Sequence, residues 1–198
     1  MRRSLSPGRP LVKALAGLAT AGLFALLTAA PAFADSATTT ATITGGSLSE
    51  STSAAPAPSV TLNGTDQTVT YTLPVTVTDS TGTGAGWNLT ITSTTLTCGT
   101  AQGCSTARTF STSASTITGV TVACASGVTC TDPTNAVTYP LTVPAAATAP
   151  TAVKFYNAAA NTGMGQFTIT PTVSLSVPAN TYAGTYVSTI TLAVVSGP

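Results

Sequence analysis

Histidine is absent from this 198-residue sequence, and charged side chains are scarce, with six basic and five acidic residues. The lack of histidine excludes Ser-His-Asp and Cys-His catalytic arrangements and histidine metal sites. Four of the basic residues precede position 14, so that only Arg108 and Lys154 remain beyond it. This composition favours a protein that is not an enzyme, carries no cofactor and does not bind nucleic acid.

The acidic residues are too scattered to indicate a catalytic pair. Asp66 and Asp79 fall near the ends of expected strands, and Asp132 precedes a proline in a turn, where aspartate commonly accepts hydrogen bonds from nearby backbone. A calcium site at Asp79 is the alternative, although the loop that follows lacks the repeated carboxylates of such sites. We therefore expect these side chains to have structural roles.

The first 34 residues have the pattern of a secretory signal peptide. Basic residues precede an apolar run over residues 14–30, and the small-x-small tripeptide Ala32-Phe33-Ala34 stands directly before Asp35. Because the run is about 17 residues long, near the lower limit for crossing a bilayer, a retained transmembrane helix is the alternative. The cleavage pattern favours export, with no membrane contact after residues 1–34 are removed.

Threonine is abundant beyond the leader, and it alternates with hydrophobic residues as is typical of half-buried strands. The alternation is unbroken over residues 68–77, restarts at Trp87 after the glycine-containing loop 79–86, and is strongest over residues 167–177. Shorter strand-like runs cover residues 117–123, 136–143, 152–156 and 185–195. The expected fold is all-β, an antiparallel β-sandwich of about 7–9 strands with two small disulfide loops.

Composition also suggests the domain boundaries. Residues 35–58 are polar and end in AAPAP, which indicates an N-terminal arm, although residues 38–44 could form an edge strand. The β-sandwich domain would then span residues 59–198. Pro74, Pro140 and Pro171 interrupt strand-like runs, and we expect them at edges or bulges because proline cannot donate to a β-ladder.

The four cysteines, Cys98, Cys104, Cys124 and Cys130, form two closely spaced pairs. In an exported protein this pattern indicates disulfides. Bonds within each pair are favoured because each closes a small glycine-containing loop, and cross-pairing between the two loops is the alternative. A four-cysteine zinc site fits neither the spacing nor an oxidising compartment, so no metal is expected.

Two further residues each allow two interpretations. Trp87, the only tryptophan, is expected to pack into the core at the start of its strand, to form an aromatic platform for a sugar or wall polymer, or to do both. Lys154 either faces solvent and protects a sheet edge from unwanted strand pairing, or forms an isopeptide bond with an asparagine.

Trp87-Asn88-Leu89 ends a D-x-x-G-x-x-x-G-W sequence within residues 77–92, and residues 177–198 form a second segment far downstream. Together the two segments resemble the WxL-domain proteins of Gram-positive bacterial surfaces, in which a second Trp-x-Leu usually stands where this chain has Leu192-Ala193-Val194. The resemblance implies non-covalent attachment to the cell wall with peptidoglycan as the ligand. It also implies a ligand-binding face made of Trp87, Asn88, Leu89, Leu192 and Val194.

The leading hypothesis is therefore a secreted, non-enzymatic protein of the cell surface or cell wall that binds peptidoglycan or a related wall polymer. The alternative is a subunit that self-assembles or binds other surface proteins through the edges of its sheets, without contacting the wall directly.

Overall fold

The computed structural model describes residues 36–53 and 55–198, and the expected signal peptide over residues 1–34 lies outside them. Within these ranges the chain forms short and long β-strands and one 3-10 turn, η1 (Thr100–Gln102). The strands are β1 (Leu48–Thr52), β2 (Gln67–Thr72), β3 (Val75–Asp79), β4 (Trp87–Thr94), β5 (Thr97–Cys98), β6 (Arg108–Thr109), β7 (Ser115–Cys124), β8 (Leu141–Thr142), β9 (Ala145–Ala146), β10 (Val153–Ala158), β11 (Gly165–Val177) and β12 (Ile190–Ser196). A search of the same ranges found no helix with the length and hydropathy needed to cross a membrane.

The strands of the compact unit Thr42–Pro198 form two main sheets. The first has the order β1-β3-β11-β7-β8, and β2 also pairs with β11. The second has the order β10-β4-β12, and the short β9 runs parallel to β4. A separate ribbon joins β5 to β6. All the other pairings are antiparallel.

Alternating hydrophobic residues from the two sheets bury one shared core, which makes the domain a β-sandwich. The first sheet contributes Val75, Val77, Ile117, Phe167, Ile169 and Val173, and the second contributes Trp87, Leu89, Ile91, Phe155 and Tyr156. A smaller cluster of Ala114, Leu175 and Val177 lies against Leu96 and Phe110. The expected all-β fold with an antiparallel sandwich is confirmed.

The long strand expected over residues 68–77 is divided in two. β2 and β3 both pair with β11, and the break between them falls at Leu73 and Pro74. The Leu73 amide donates to the carbonyl of Pro171, at 3.1 Å. The backbone N and O of one strand residue point towards the same neighbouring strand. The Pro171 nitrogen, which has no hydrogen, therefore faces the break between β2 and β3 and leaves no ladder bond unmade. Pro171 therefore lies in the central strand, opposite a break, and not at an edge of the sheet.

The segment expected to be an N-terminal arm contains a strand. β1 pairs with β3 from Leu48 opposite Asp79 to Thr52 opposite Val75, and it forms an outer strand of the first sheet. Residues 38–44, where the sequence suggested an edge strand, have no regular secondary structure. The Leu48 side chain packs against the shared core, which explains why the pairing forms at this position.

The strand expected over residues 136–143 is limited to β8. Side-chain amides replace a strand partner in the first half of this segment, where Ala136 N donates to Asn157 Oδ1 at 2.8 Å and Val137 N donates to Asn135 Oδ1 at 3.2 Å. The Tyr139–Pro140 peptide bond is cis. Period-two alternation alone does not distinguish such a side-chain-supported segment from a strand.

The two disulfides join Cys98 to Cys104 and Cys124 to Cys130. The favoured pairing within each loop is confirmed, and the cross-paired and zinc-bound alternatives are wrong because all four sulfur atoms are used in these bonds.

Candidate functional site

The W-x-L segment forms the first three residues of β4, which is the central strand of the second sheet. Trp87, Leu89 and Ile91 point into the core and have no solvent exposure, whereas Asn88 and Thr90 lie on the opposite face of the strand. This is the direct result of the two-residue period of a strand. Trp87 therefore packs into the core as one of its two interpretations expected, and Leu89 is a core residue as well.

Trp87 is held by a hydrogen bond as well as by packing. Its indole Nε1 donates to the carbonyl of Gly163 at 2.8 Å, and its ring lies 6.0 Å from the ring of Tyr156 between centroids. Gly163 has a φ of +74°, and a Cβ built there would stand 2.7 Å from the indole nitrogen. The indole is thus held by packing and by a hydrogen bond, and its only polar atom is satisfied inside the protein.

The glycine-containing loop before Trp87 is stabilised by Asp79. The Asp79 Oδ1 accepts bonds from the Thr81 amide at 3.0 Å and from the Thr81 hydroxyl at 2.7 Å, which is a local aspartate turn. At Gly86, with a φ of +73°, a Cβ would lie 2.4 Å from the carbonyl oxygen of Ala158. The loop therefore positions the start of β4 tightly against the end of β10.

The remaining residues of the expected ligand-binding face lie beside Trp87 but do not form an exposed surface with it. Leu192 pairs with Ile91 and Val194 pairs with Leu89 across β4 and β12, and both pack partly buried against the core. The Asn88 amide group donates to the carbonyl of Gly197 at 2.8 Å. The structure thus brings all five residues together, and it places the hydrophobic ones on the inner side of the sheet.

A different surface brings together one exposed tyrosine, two half-buried aromatic residues and a half-buried arginine. We define the aromatic groove as Arg108, Phe110, Asn180, Tyr182 and Tyr186, where the β5–β6 ribbon meets the β11–β12 connection. The Arg108 guanidinium carbon lies 3.9 Å above the centroid of the Tyr182 ring. Phe110 and Tyr186 pack edge to face with their centroids 4.6 Å apart. Sequence reasoning missed this surface, for which the repeated tyrosine in TYAGTY was the available signal.

Residues 31–198 match the family model described as "WxL domain surface cell wall-binding". The chain belongs to the WxL family. No curated protein and no solved structure matches the chain significantly. The resemblance carried by the W-x-L segment is therefore confirmed, and the family description places this WxL domain at the cell surface in association with the wall.

In this WxL domain, the first W-x-L and the segment aligned with the second occupy adjacent strands. Leu192-Ala193-Val194 runs antiparallel to β4, with Ala193 opposite Thr90 on the outer face. Leu192 and Val194 fill positions that face the same core as Trp87 and Leu89. A tryptophan is not needed at position 192 in order to pair these two strands, since aliphatic side chains already cover that part of the core.

The raised pKa values of three tyrosines predict that the domain loses stability in alkali. Burial raises the pKa of Tyr71 and Tyr139 above the ordinary value of 10.0, and it raises the pKa of Tyr156 to about 12. Between pH 10 and 12 the unfolded chain therefore loses protons that the folded domain retains. Stability should be intact below pH 10.0 and fall as the pH rises towards about 12.

Urea unfolding at a series of pH values, with both disulfides oxidised, measures this effect. The Tyr156→Phe variant should show a shallower decline than the wild-type protein because it lacks one of the groups that titrate. A wild-type midpoint that stays constant across the same pH window would contradict the prediction.

Proposed function

We propose that this WxL domain is a non-enzymatic, exported protein that attaches non-covalently to the peptidoglycan-containing wall of a Gram-positive cell. The single observation that carries the proposal is the family match, because it spans every strand of the sandwich from β1 to β12. Peptidoglycan as the ligand goes one step beyond the family description, which names cell-wall binding in general.

Two of the acidic side chains, Asp66 and Asp79, support a non-enzymatic role because they accept hydrogen bonds that organise loops. Asp66 Oδ1 accepts a bond from the Ala179 amide at 2.8 Å, and Asp79 holds the turn at Thr81. Among the described residues, no group of three or more Cys, Asp and Glu side chains could hold a metal ion. The hydrogen bonds of Asp66 and Asp79 give both carboxylates structural roles, which supports the proposal.

Export is supported by the cysteines. Both pairs form disulfides in the folded domain, and such bonds persist in oxidising compartments such as the space outside the cell membrane. The signal-peptide pattern over residues 1–34 agrees with this compartment.

Co-sedimentation with purified Gram-positive peptidoglycan tests the proposal. The exported protein should pellet with the insoluble polymer in a saturable manner and stay in the supernatant with cellulose, a chemically different insoluble polysaccharide. Protein that has been reduced and heat-unfolded is the control for non-specific pelleting. Folded protein that remains in the supernatant at every peptidoglycan concentration would contradict the proposal.

A second candidate function is association through sheet edges with another surface protein or a second copy. β1 and β8 are the outer strands of the first sheet and β12 is an outer strand of the second, and Val195 on β12 is half exposed. An outer strand of a sheet can accept a further strand along its unpaired edge. Sedimentation-velocity analysis of the same protein without wall polymer separates the candidates, since only edge association gives concentration-dependent oligomers.

A further inference from the structure

The aromatic groove has the features of a binding site that the W-x-L segment lacks. Two adjoining hollows, of about 220 and 150 Å³, lie at this end of the domain, and both are bordered by Arg108 and Tyr182. The stacked Arg108–Tyr182 pair therefore stands between them. An elongated ligand that spans both hollows would cross this pair.

Tyr182 is exposed in a way that packing does not require. Its side chain is 58% exposed, the highest value among the large hydrophobic and aromatic residues of strands β2 to β12 and their connections. Phe110 contacts the smaller core cluster, and Tyr186 contacts Phe110, so coverage of that cluster explains both of those residues. It does not explain Tyr182, because a largely exposed aromatic ring contributes little to burial.

The groove is held rigid before any ligand arrives. The Tyr186 hydroxyl donates to the Tyr182 carbonyl at 3.0 Å, and the Thr185 amide donates to the Gln102 carbonyl at 3.0 Å. A Cβ built on Gly184 would stand 2.7 Å from both sulfur atoms of the Cys98–Cys104 disulfide, so this turn rests directly on the disulfide loop. Preorganised aromatic groups lose little conformational entropy on binding.

The charges indicate which ligand the groove would accept. The Arg108 guanidinium lies over the Tyr182 ring, and the N–H groups of a guanidinium pair with a carboxylate or phosphate. None of the described residues that line the two hollows is acidic. Asn180, Ser111 and Thr181 add hydroxyl and amide groups along the larger hollow. Aromatic rings with neighbouring polar groups suit the apolar face and the hydroxyls of a sugar.

We propose that the aromatic groove binds an acidic glycan of the cell wall, with Arg108 pairing with the carboxylate or phosphate of the glycan and Tyr182 stacking against a sugar ring. This inference rests on the proposed wall-binding function and assigns it to named residues. The binding surface would then lie away from the W-x-L segment, which serves the core.

Two groove variants and two matched controls test the assignment by co-sedimentation with peptidoglycan. Arg108→Gln and Tyr182→Ala should each weaken binding by about tenfold. Lys154→Gln removes the other cation of the described chain, which is exposed on β10 outside the groove, and should change affinity by less than about twofold. Val195→Ala truncates an exposed apolar side chain elsewhere and should also leave affinity unchanged. Unchanged thermal unfolding should confirm that all four variants are folded.

Binding to walls before and after removal of phosphate polymers with hydrofluoric acid distinguishes the two sources of the acid. Loss of affinity in Arg108→Gln on both wall preparations indicates a carboxylate of peptidoglycan. A loss that is confined to untreated walls indicates a phosphate polymer. Either result supports the groove, whereas folded groove variants that bind both preparations as tightly as the wild type would overturn it and leave the proposed wall attachment standing.

A nuclear magnetic resonance titration with soluble acidic muropeptides covers the case in which the wild-type protein fails to bind walls. Movement of the Arg108 side-chain N–H resonance, absent in Tyr182→Ala, would support the groove although wall attachment has failed. No movement at Arg108 in the wild-type protein would overturn the groove together with the proposed function.

Discussion

Replacing Trp87 with alanine should destabilise the domain by about 4–8 kcal/mol and not merely weaken binding to the wall. The side chain has no solvent exposure and is the largest residue of the shared core. Removal of a buried tryptophan costs about 3–5 kcal/mol, and the Gly163 carbonyl would lose its only described side-chain donor at an additional cost of about 1–3 kcal/mol. Since domains of this size are stable by only about 5–15 kcal/mol, urea unfolding followed by circular dichroism should detect the loss readily.

Trp87→Phe separates the two contributions. Phenylalanine keeps an aromatic ring in the core and removes the Nε1 donor, so the expected loss is smaller than that of Trp87→Ala, about 2 kcal/mol. A Trp87→Ala protein whose unfolding free energy lies within about 1 kcal/mol of the wild type would show that Trp87 does not support the core.

Replacing Gly163 with alanine should destabilise the domain by about 2–4 kcal/mol. A Cβ at this position would lie 2.4 Å from the Ala158 Cβ and 2.7 Å from the Trp87 Nε1, and the backbone has a φ of +74°. The new methyl group would therefore push the indole and the end of β10 apart while also occupying a strained backbone conformation.

Gly127→Ala is the matched control for this prediction. Its φ is +76°, almost the same as at Gly163, but no atom lies within 4 Å of the added Cβ. Only the backbone cost of about 1 kcal/mol should appear in Gly127→Ala. Equal losses in the two variants, measured by chemical unfolding, would contradict a specific close contact between Gly163 and Trp87.

The strands with strict alternation could be predicted from the sequence because one face of each is continuously apolar. β11 has this pattern along its whole length, and β4 has it from Trp87 to Ile91. β1 could not be found in this way, since LSEST has one apolar residue and its pairing depends on β3. The strand structure of β1 thus depends on its tertiary contact with β3 and not on its local sequence pattern.

The two candidate sites also differ in how far the sequence could predict them, because long-range contacts form the aromatic groove. Alternation predicted that Trp87 and Leu89 share one face of β4, but a single sequence does not indicate whether a tryptophan faces the core or a ligand. The aromatic groove was hidden because Arg108 and Tyr182 meet only through the β5–β6 ribbon and the β11–β12 connection. Their proximity results from the Cys98–Cys104 loop packing under Gly184, which no local pattern reports.

The family motif therefore has a physical explanation that does not require it to touch the wall. Trp87 closes the core beneath the glycine-containing loop, and Leu89 continues the same inner face. Removal of this tryptophan would weaken every surface function to the extent that the domain unfolds. Loss of wall binding in Trp87→Ala alone is thus a poor test of contact.

The most direct test of the buried position uses the fluorescence of Trp87, the only tryptophan in the chain. Emission and iodide quenching of the exported protein should be measured with and without purified peptidoglycan. The structure predicts blue-shifted emission, little quenching and no change when the polymer is added, because the indole has no solvent exposure. Red-shifted emission that iodide quenches and peptidoglycan protects would show that Trp87 is a contact residue, and would contradict this account.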